Sequence, residues 1–358
     1  MIKFSGKTQH PNVAVLVARI QPDVGEIKEV TTFVSKKNGS IWYGLHTLDQ
    51  LWELLKKHKG ERECVRIVAG NTAYGIQPLQ QLIREQTIML FIGRIPDLTE
   101  LTHDDDQIIA RCAVPIQQLW DLTRSLSEAH EKADKRSTYP PSVAYKHWRR
   151  LATTEIRNVA SIAGNLYIAK LRGFPSDLCM VLAALGATII ITDHNSSRQE
   201  YGVMEFLHED DILNETNIIY EVKIPIKERK DVFIDTYKVS QRPQNSHPLV
   251  NAGFSMKVEE RGYQEVRIFY GNVGEAPQEM TVTEKWMEKN CTPANLAGKV
   301  PKLLIILEKE LRGIVTKKTI TSENYLVDTA CNIFFKYLAK MARVFKFPGW
   351  DDIKHVSV

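Results

Sequence analysis

Three strand-like runs, residues 232–239, 250–258 and 265–270, follow one another with only turns between them. Three helical runs, residues 282–289, 294–312 and 323–343, then close the sequence. Strands mixed with helices come before them, and a charged stretch at residues 227–230 marks the boundary. Mixed elements first, then a run of strands followed by a run of helices, argue for an α+β protein with a separate C-terminal unit.

In the first part, Leu48, Leu51, Trp52, Leu54 and Leu55 recur at helical spacing, Thr47 can cap and Gly60 can stop the helix, so residues 47–58 are expected to be helical. Short extended pieces are expected at 12–19 and 31–34, and strands at 64–69, 87–92, 108–114, 187–192 and 218–224. Residues 95–98 read as a turn. Helices are expected at 115–129, 143–152 and 178–185, the last ending at Gly186. The three aspartates Asp104, Asp105 and Asp106 stand where a polar hairpin turn belongs, and that reading is preferred to a divalent-metal site.

A chain of 358 residues is long enough for two or three units with their own cores. Its net charge of +4 is dispersed in short clusters without interleaved aromatics, which argues against nucleic acid as a partner. No run approaches a membrane span, and the first residues have no signal-peptide core. Cys64, Cys112, Cys179, Cys291 and Cys331 are scattered, with no Cys-x-x-Cys pair, so a reducing, cytoplasmic setting and no zinc or iron–sulfur site are expected. None of the ten histidines has ligand spacing, and no metal is expected.

Two glycine-bearing stretches could carry chemistry. In Gly70-Asn71-Thr72-Ala73-Tyr74-Gly75, after a strand, backbone amides can converge on an anion, although an ordinary strand-to-helix turn explains it equally well. It has neither the Lys-Ser/Thr ending of a nucleoside-triphosphate loop nor the glycine spacing of a Rossmann turn. The second, "VASIAGNLYIAKLRGFPSDL" (residues 159–178), reads as a loop. Ser161 and Asn165 bring donors, Gly164 permits close approach, and a helix starting near Asp177 adds unpaired amides. Asp177 is read first as that helix's cap and second as an acceptor for a ligand hydroxyl.

Four segments in order, "VAGNTAYG", "TTEIRNVASIAGNL" with "FPSDL", "KVSQRPQNSHPLVNAGF" and "RIFYGNVGEAP", resemble the flavin-binding part of aldehyde oxidases and xanthine dehydrogenases, the molybdenum hydroxylases. The likeness runs from about residue 41 to about residue 340 and is closest to insect-type aldehyde oxidases in the twelve-position step from Asn165 to Asp177. It implies an α+β chain with the two-subdomain, vanillyl-alcohol-oxidase or PCMH-type FAD-binding fold at 36–228. A lead-in at 1–35 would precede it, and a CO-dehydrogenase-flavoprotein-like domain of antiparallel sheet and helices at 229–345 and a tail at 346–358 would follow.

By the same resemblance FAD is the cofactor. Ala69, Gly70, Asn71, Thr72, Ala73, Tyr74, Gly75 and Ile76 would hold its pyrophosphate through backbone amides. Ser161, Gly164 and Asn165 would meet the same region from the other side, and Asp177 would hold a hydroxyl. Lys238 would lie near the flavin's pyrimidine edge, where a cation stabilises the reduced ring. Leu151 stands where xanthine dehydrogenases commonly carry an aromatic over the ring, and Ile219 is an apolar contact.

The family's whole enzymes add iron–sulfur and molybdopterin domains, expected here as partners outside the chain, and form homodimers. The chain is therefore expected to be a fragment, a truncated product or a separate flavin subunit, passing electrons from iron–sulfur centres to oxygen. A non-catalytic relic of the fold, acting as an interaction module, and an NAD-reducing flavin domain are the alternatives.

Overall fold

The computed structural model describes residues 29–36, 38–60, 64–75, 87–131, 139–316 and 321–350. The piece expected at 12–19, residue Ile76 and most of the expected tail lie outside them, and Tyr74 and Gly75 are described in backbone only.

Strands β1 (Thr31–Val34), β2 (Ile41–Gly44), β3 (Val65–Val68) and β4 (Ile88–Phe91) form a sheet in the order β1-β2-β4-β3. The inner strands are parallel and β1 is antiparallel at the edge. Helix α1 (Leu48–Lys57) links β2 to β3. Thr47 accepts the Gln50 amide while the Gln50 side chain accepts the Thr47 amide, so two otherwise orphaned donors are satisfied reciprocally. Residues 95–98 enter a short helix, α2 (Pro96–Thr99), and not the expected plain turn. Pro96 holds its first position, where a missing amide is harmless.

The second sheet is antiparallel, in the order β5-β6-β9-β7-β8. It comprises β5 (Leu101–His103), β6 (Gln107–Arg111), β7 (Thr188–Asp193), β8 (Arg198–Gly202) and β9 (Asn217–Pro225). The three aspartates form the β5–β6 turn, where the Asp104 carboxylate accepts the Asp106 and Gln107 amides. Among the described residues, no group of three His, Cys, Asp or Glu is placed to hold a metal ion. No helix among them is long and apolar enough to cross a membrane.

Between β6 and β7 run α3 (Ile116–Glu131), α4 (Pro140–Trp148), α5 (Thr154–Val159), α6 (Ile162–Arg172) and α7 (Asp177–Leu185). The stretch expected to be a small-residue loop is thus mostly helix. Ile162, Leu166 and Ala169 supply a narrow buried stripe at helical spacing, Ser161 caps the start, and Gly173 ends the helix with φ +56°. Every residue of α7 is buried, as an all-round apolar helix requires. It packs on the second sheet and on the C-terminal unit together. Gly253 in β11 (Pro248–Glu259) makes that possible, because a Cβ there would collide with the Met180 carbonyl.

The C-terminal sheet joins β10 (Val232–Ser240), β11, β12 (Gly262–Gly271) and β13 (Gln278–Glu279) in sequence order, all antiparallel. Helices α9 (Thr281–Asn290), α10 (Leu296–Ile314) and α11 (Glu323–Phe345) cover it. Phe254, Tyr270, Phe334 and Tyr337 fill its core, and burying a ring such as Phe254 contributes roughly 1.5–3 kcal/mol. Tyr337 donates to the Phe233 carbonyl and Tyr270 to that of Ala330, each at 2.8 Å, so neither buried hydroxyl is unpaired. The first two sheets share one apolar core, and this unit has another.

Candidate functional site

A cavity of about 1020 Å³ opens where the two sheets of the first part meet α6, α7 and the start of β11. Every expected site residue whose side chain is described lines it: Ala69, Gly70, Asn71, Thr72, Ala73, Leu151, Ser161, Gly164, Asn165, Asp177, Ile219 and Lys238. The volume stands at the upper end for small-molecule sites, as an extended dinucleotide requires.

The loop after β3 carries one wall. Asn71 has φ +52° and a 3-10 turn (Thr72–Gly75) follows directly. A left-handed residue before a right-handed turn points successive amides to one side, which is an anion-binding concavity. Gly70 is required for a different reason. A Cβ there would overlap the Val159 carbonyl at the end of α5, so the loop is pressed against the chain that leads into α6.

The start of α6 is tied to the preceding chain. Ile162 donates to the Val114 carbonyl, Ala163 to that of Cys112, and Gly164 to Ser161 Oγ. These first-turn amides are therefore committed within the protein, and an anion would be met there by side chains. The Ser161 hydroxyl still has its own proton to donate. Asn165 Oδ1 accepts from Ser176, which orients the side chain and leaves the amide NH₂ for the cavity it lines. A Cβ built on Gly164 meets only Ser161 Oγ, at 2.9 Å. The space beyond it is the cavity itself.

The basic pair next in sequence divides. Lys170 Nζ donates to the Phe206 carbonyl at 2.8 Å and to the Glu209 carbonyl, so it ties α6 to α8 (Val203–His208), and burial lowers its pKa. Arg172 stays exposed on the cavity lining.

Asp177 does not cap α7. Ser176 does, accepting the Cys179 amide at 3.0 Å. Both residues suit a cap, and tertiary contacts decide between them. The Asp177 carboxylate turns to the C-terminal unit, with Oδ2 2.6 Å from Lys238 Nζ and Oδ1 3.0 Å from Asn251 Nδ2. His147 Nε2 lies 3.5 Å from the same Oδ1. The side chains of Asp177 and Lys238 are 7% and 2% exposed. Burial raises the Asp177 pKa, yet the His147 ring and the Lys238 ammonium beside it outweigh that and hold the carboxyl below its ordinary value. Lys238 also donates to the Arg150 carbonyl at 3.4 Å.

Leu151 is set in place by Arg157, which donates to the Leu151 carbonyl at 2.8 Å and to Gln117 Oε1 at 2.9 Å while lying over the Trp120 ring. Ile219, on β9, is buried in the wall.

After β10 the loop 241–247 reaches the cavity through Asn245, Ser246 and His247. Arg242 is exposed and donates to the Asn245 carbonyl of its own loop. His247 packs edge-on against Phe174 at 5.3 Å. Partial burial, then the Lys238 charge, lowers its pKa. The positive charge at this wall is therefore Lys238.

The sequence assigns no site role to His147, Asn251, Ser176 or Arg157, although the last three stand within the segments quoted above. A signal existed for Asn251, an amide between Val250 and Ala252 in an apolar strand and fully buried. None existed for His147, whose partners are distant in sequence.

Residues 34–227 match the FAD binding domain in molybdopterin dehydrogenase, and residues 235–341 match the CO dehydrogenase flavoprotein C-terminal domain. The chain is 26% identical over 330 residues to probable aldehyde oxidase 1 of Oryza sativa subsp. japonica, across 89% of this chain and 22% of that protein. It is 28% identical over 255 residues to aldehyde oxidase 1 of Rattus norvegicus, across 70% and 18%. The chain thus spans about a fifth of the length of the curated relatives it matches. Carbon monoxide dehydrogenase from Hydrogenophaga pseudoflava shares the fold, with a TM-score of 0.66 at 13% identity over 85% of this chain and 97% of that one. Quinoline 2-oxidoreductase from Pseudomonas putida 86 does so too, with a TM-score of 0.65 at 16% identity over 88% and 98%.

Proposed function

The chain belongs to the family of FAD-binding domains of molybdopterin dehydrogenases and is an FAD-binding module; from that premise we propose that it relays electrons from iron–sulfur partners to oxygen. The observation that carries this reading is the cavity. Its size suits an extended dinucleotide, its open side at Gly164 is where a Cβ would intrude, and Ser161 and Asn165 line it with side-chain donors.

Bound FAD supplies a centre that exchanges both one and two electrons. The chain's own residues bind and orient it. The amides of residues 70–73 and the donors of Ser161 and Asn165 hold the pyrophosphate from two sides. Leu151 and Ile219 cover apolar ring surface and keep water from it. Lys238 presents a buried ammonium to the polar edge of the ring, where negative charge grows on reduction. The Asp177 carboxylate neutralises that ammonium and has lone pairs left for a cofactor hydroxyl.

Oxygen as acceptor is supported by what the acceptor face holds. Leu151 gives a nicotinamide no ring to stack on. Asn245, at φ +47°, brings no carboxylate, and its carbonyl holds Arg242 in the loop. The test is stopped-flow reoxidation of dithionite-reduced, FAD-loaded protein. Reoxidation by dissolved oxygen that outpaces NAD is expected, and fast reoxidation by NAD overturns the oxidase reading. An Asn245→Asp variant is expected to gain reactivity with NAD.

A further inference from the structure

The Lys238 ammonium is not held by Asp177 alone. Thr236 and Lys238 are two apart on β10 and so share one face, turned to α4 and α7, while Tyr237 points into the C-terminal core. Asn251 is the register partner of Lys238 on β11. His147, on α4, closes the group, with Nδ1 2.9 Å from Thr236 Oγ1 and Nε2 3.5 Å from Asp177 Oδ1. It is 5% exposed.

Nε2 makes no hydrogen bond in this arrangement, and because a carboxylate only accepts, a ring with its hydrogen on Nε2 is the form that suits this neighbour. Nδ1 then accepts from the Thr236 hydroxyl when the ring is neutral, or donates to it when the ring is charged. Either way the ring is clamped between a strand that carries Lys238 and the carboxylate that pairs with it.

We infer that His147 is a positioning residue for Lys238: by anchoring Asp177 from behind, it sets how much of the ammonium's charge is presented to the cavity. This rests on the reading that Lys238 faces bound flavin. Without the His147 ring beside it, the Asp177 carboxylate is compensated by Lys238 and Asn251 alone and offsets more of the ammonium's charge. Less positive field then reaches the ring edge. The lowered Asp177 pKa, in which His147 takes a part ahead of Lys238, agrees with this.

The test is the midpoint potential of the FAD-loaded full chain in His147→Leu, His147→Gln and Lys238→Met, and in the double variant that combines His147→Leu with Lys238→Met. His147→Leu is expected to lower the preference for reduced over oxidised flavin about tenfold, which is a drop of about 30 mV for a two-electron couple. His147→Gln, whose amide can donate to Asp177 and accept from Thr236, is expected to retain most of the wild-type value. In the Lys238→Met background the leucine is expected to change nothing further, since the residue acts through Lys238. If the leucine variant does not fold, Thr236→Val, which frees the ring, is expected to shift the potential in the same direction. A drop in Lys238→Met with none in His147→Leu, or an equal drop from the leucine in both backgrounds, overturns the inference alone. An unchanged potential in Lys238→Met overturns the placing of Lys238 beside the flavin and the inference with it.

Discussion

Replacing Asp177 by Asn keeps the shape and the hydrogen bond with Asn251 but removes the counter-charge of Lys238. At 2.6 Å, with an effective dielectric of about 20, the lost attraction is roughly 6 kcal/mol before solvation is counted. Neither ion is well hydrated, because the two side chains are 2% and 7% exposed. Breaking such a pair from one side costs about 3–5 kcal/mol, because a buried charge is left uncompensated, whereas removing both charges is close to neutral. Asp177→Asn is therefore expected to lose about 3–5 kcal/mol in urea unfolding followed by tryptophan fluorescence, and adding Lys238→Met is expected to restore most of it. The pH dependence has a definite sign. The folded-state pKa of Asp177 is lowered, so its contribution is fully present above the ordinary aspartate range and is lost as pH falls through the lowered value. The gap between wild type and variant should be constant near neutrality and close only in acid. A loss below about 1 kcal/mol, or a double variant no more stable than Asp177→Asn, would refute the reasoning.

Three further outcomes follow from the same geometry. Asn165→Ala is expected to weaken FAD binding by about 1–3 kcal/mol in a fluorescence titration, the cost of one donor to a charged group, with unchanged circular dichroism. Bound FAD is expected to be released completely by acid or heat: burial pushes the thiol of Cys112, which lines the cavity, up to about 12, so no thiolate is at hand for a covalent link; flavin that stays with the precipitate would contradict this. Burial also raises Glu284, whose carboxylate accepts the Ile268 amide at 2.6 Å, to about 8. A raised acid stabilises the fold below its unfolded pKa and loses that contribution as pH climbs to 8, so Glu284→Gln should raise the melting temperature at pH 8.5 and leave it unchanged near pH 4.

Local rules were enough for much of the fold. The capping box at Thr47 and Gln50, the strands from 232 to 270 and the three closing helices are spelled by periodicity and end signals that packing leaves in force. The stretch at 159–173 misled because its small residues face a cavity. The buried stripe of α6 is narrow, and its cap Ser161 and stop Gly173 were the stronger signals. The pair β8 and α8 went unread because Arg198, Gln199 and Glu200 are exposed on a polar edge strand. At the site, glycines and amides in recognisable order pointed to the cavity wall. The Asp177–Lys238 pair did not show itself, since its partners are 61 residues apart and only the packing of α7 on β10 and β11 joins them.

The central claim, that the cavity lined by residues 69–73, Ser161, Gly164 and Asn165 is an FAD site, is tested most directly by titrating FAD into the purified chain and its Gly164→Val variant while following flavin fluorescence. The one neighbour a Cβ there meets is Ser161 Oγ, at 2.9 Å, a hydroxyl that can turn aside, so the variant should still fold. The account predicts one FAD bound per wild-type chain and none by the folded variant. A wild-type chain that binds no FAD, or a folded variant that binds it as tightly as wild type, would contradict it.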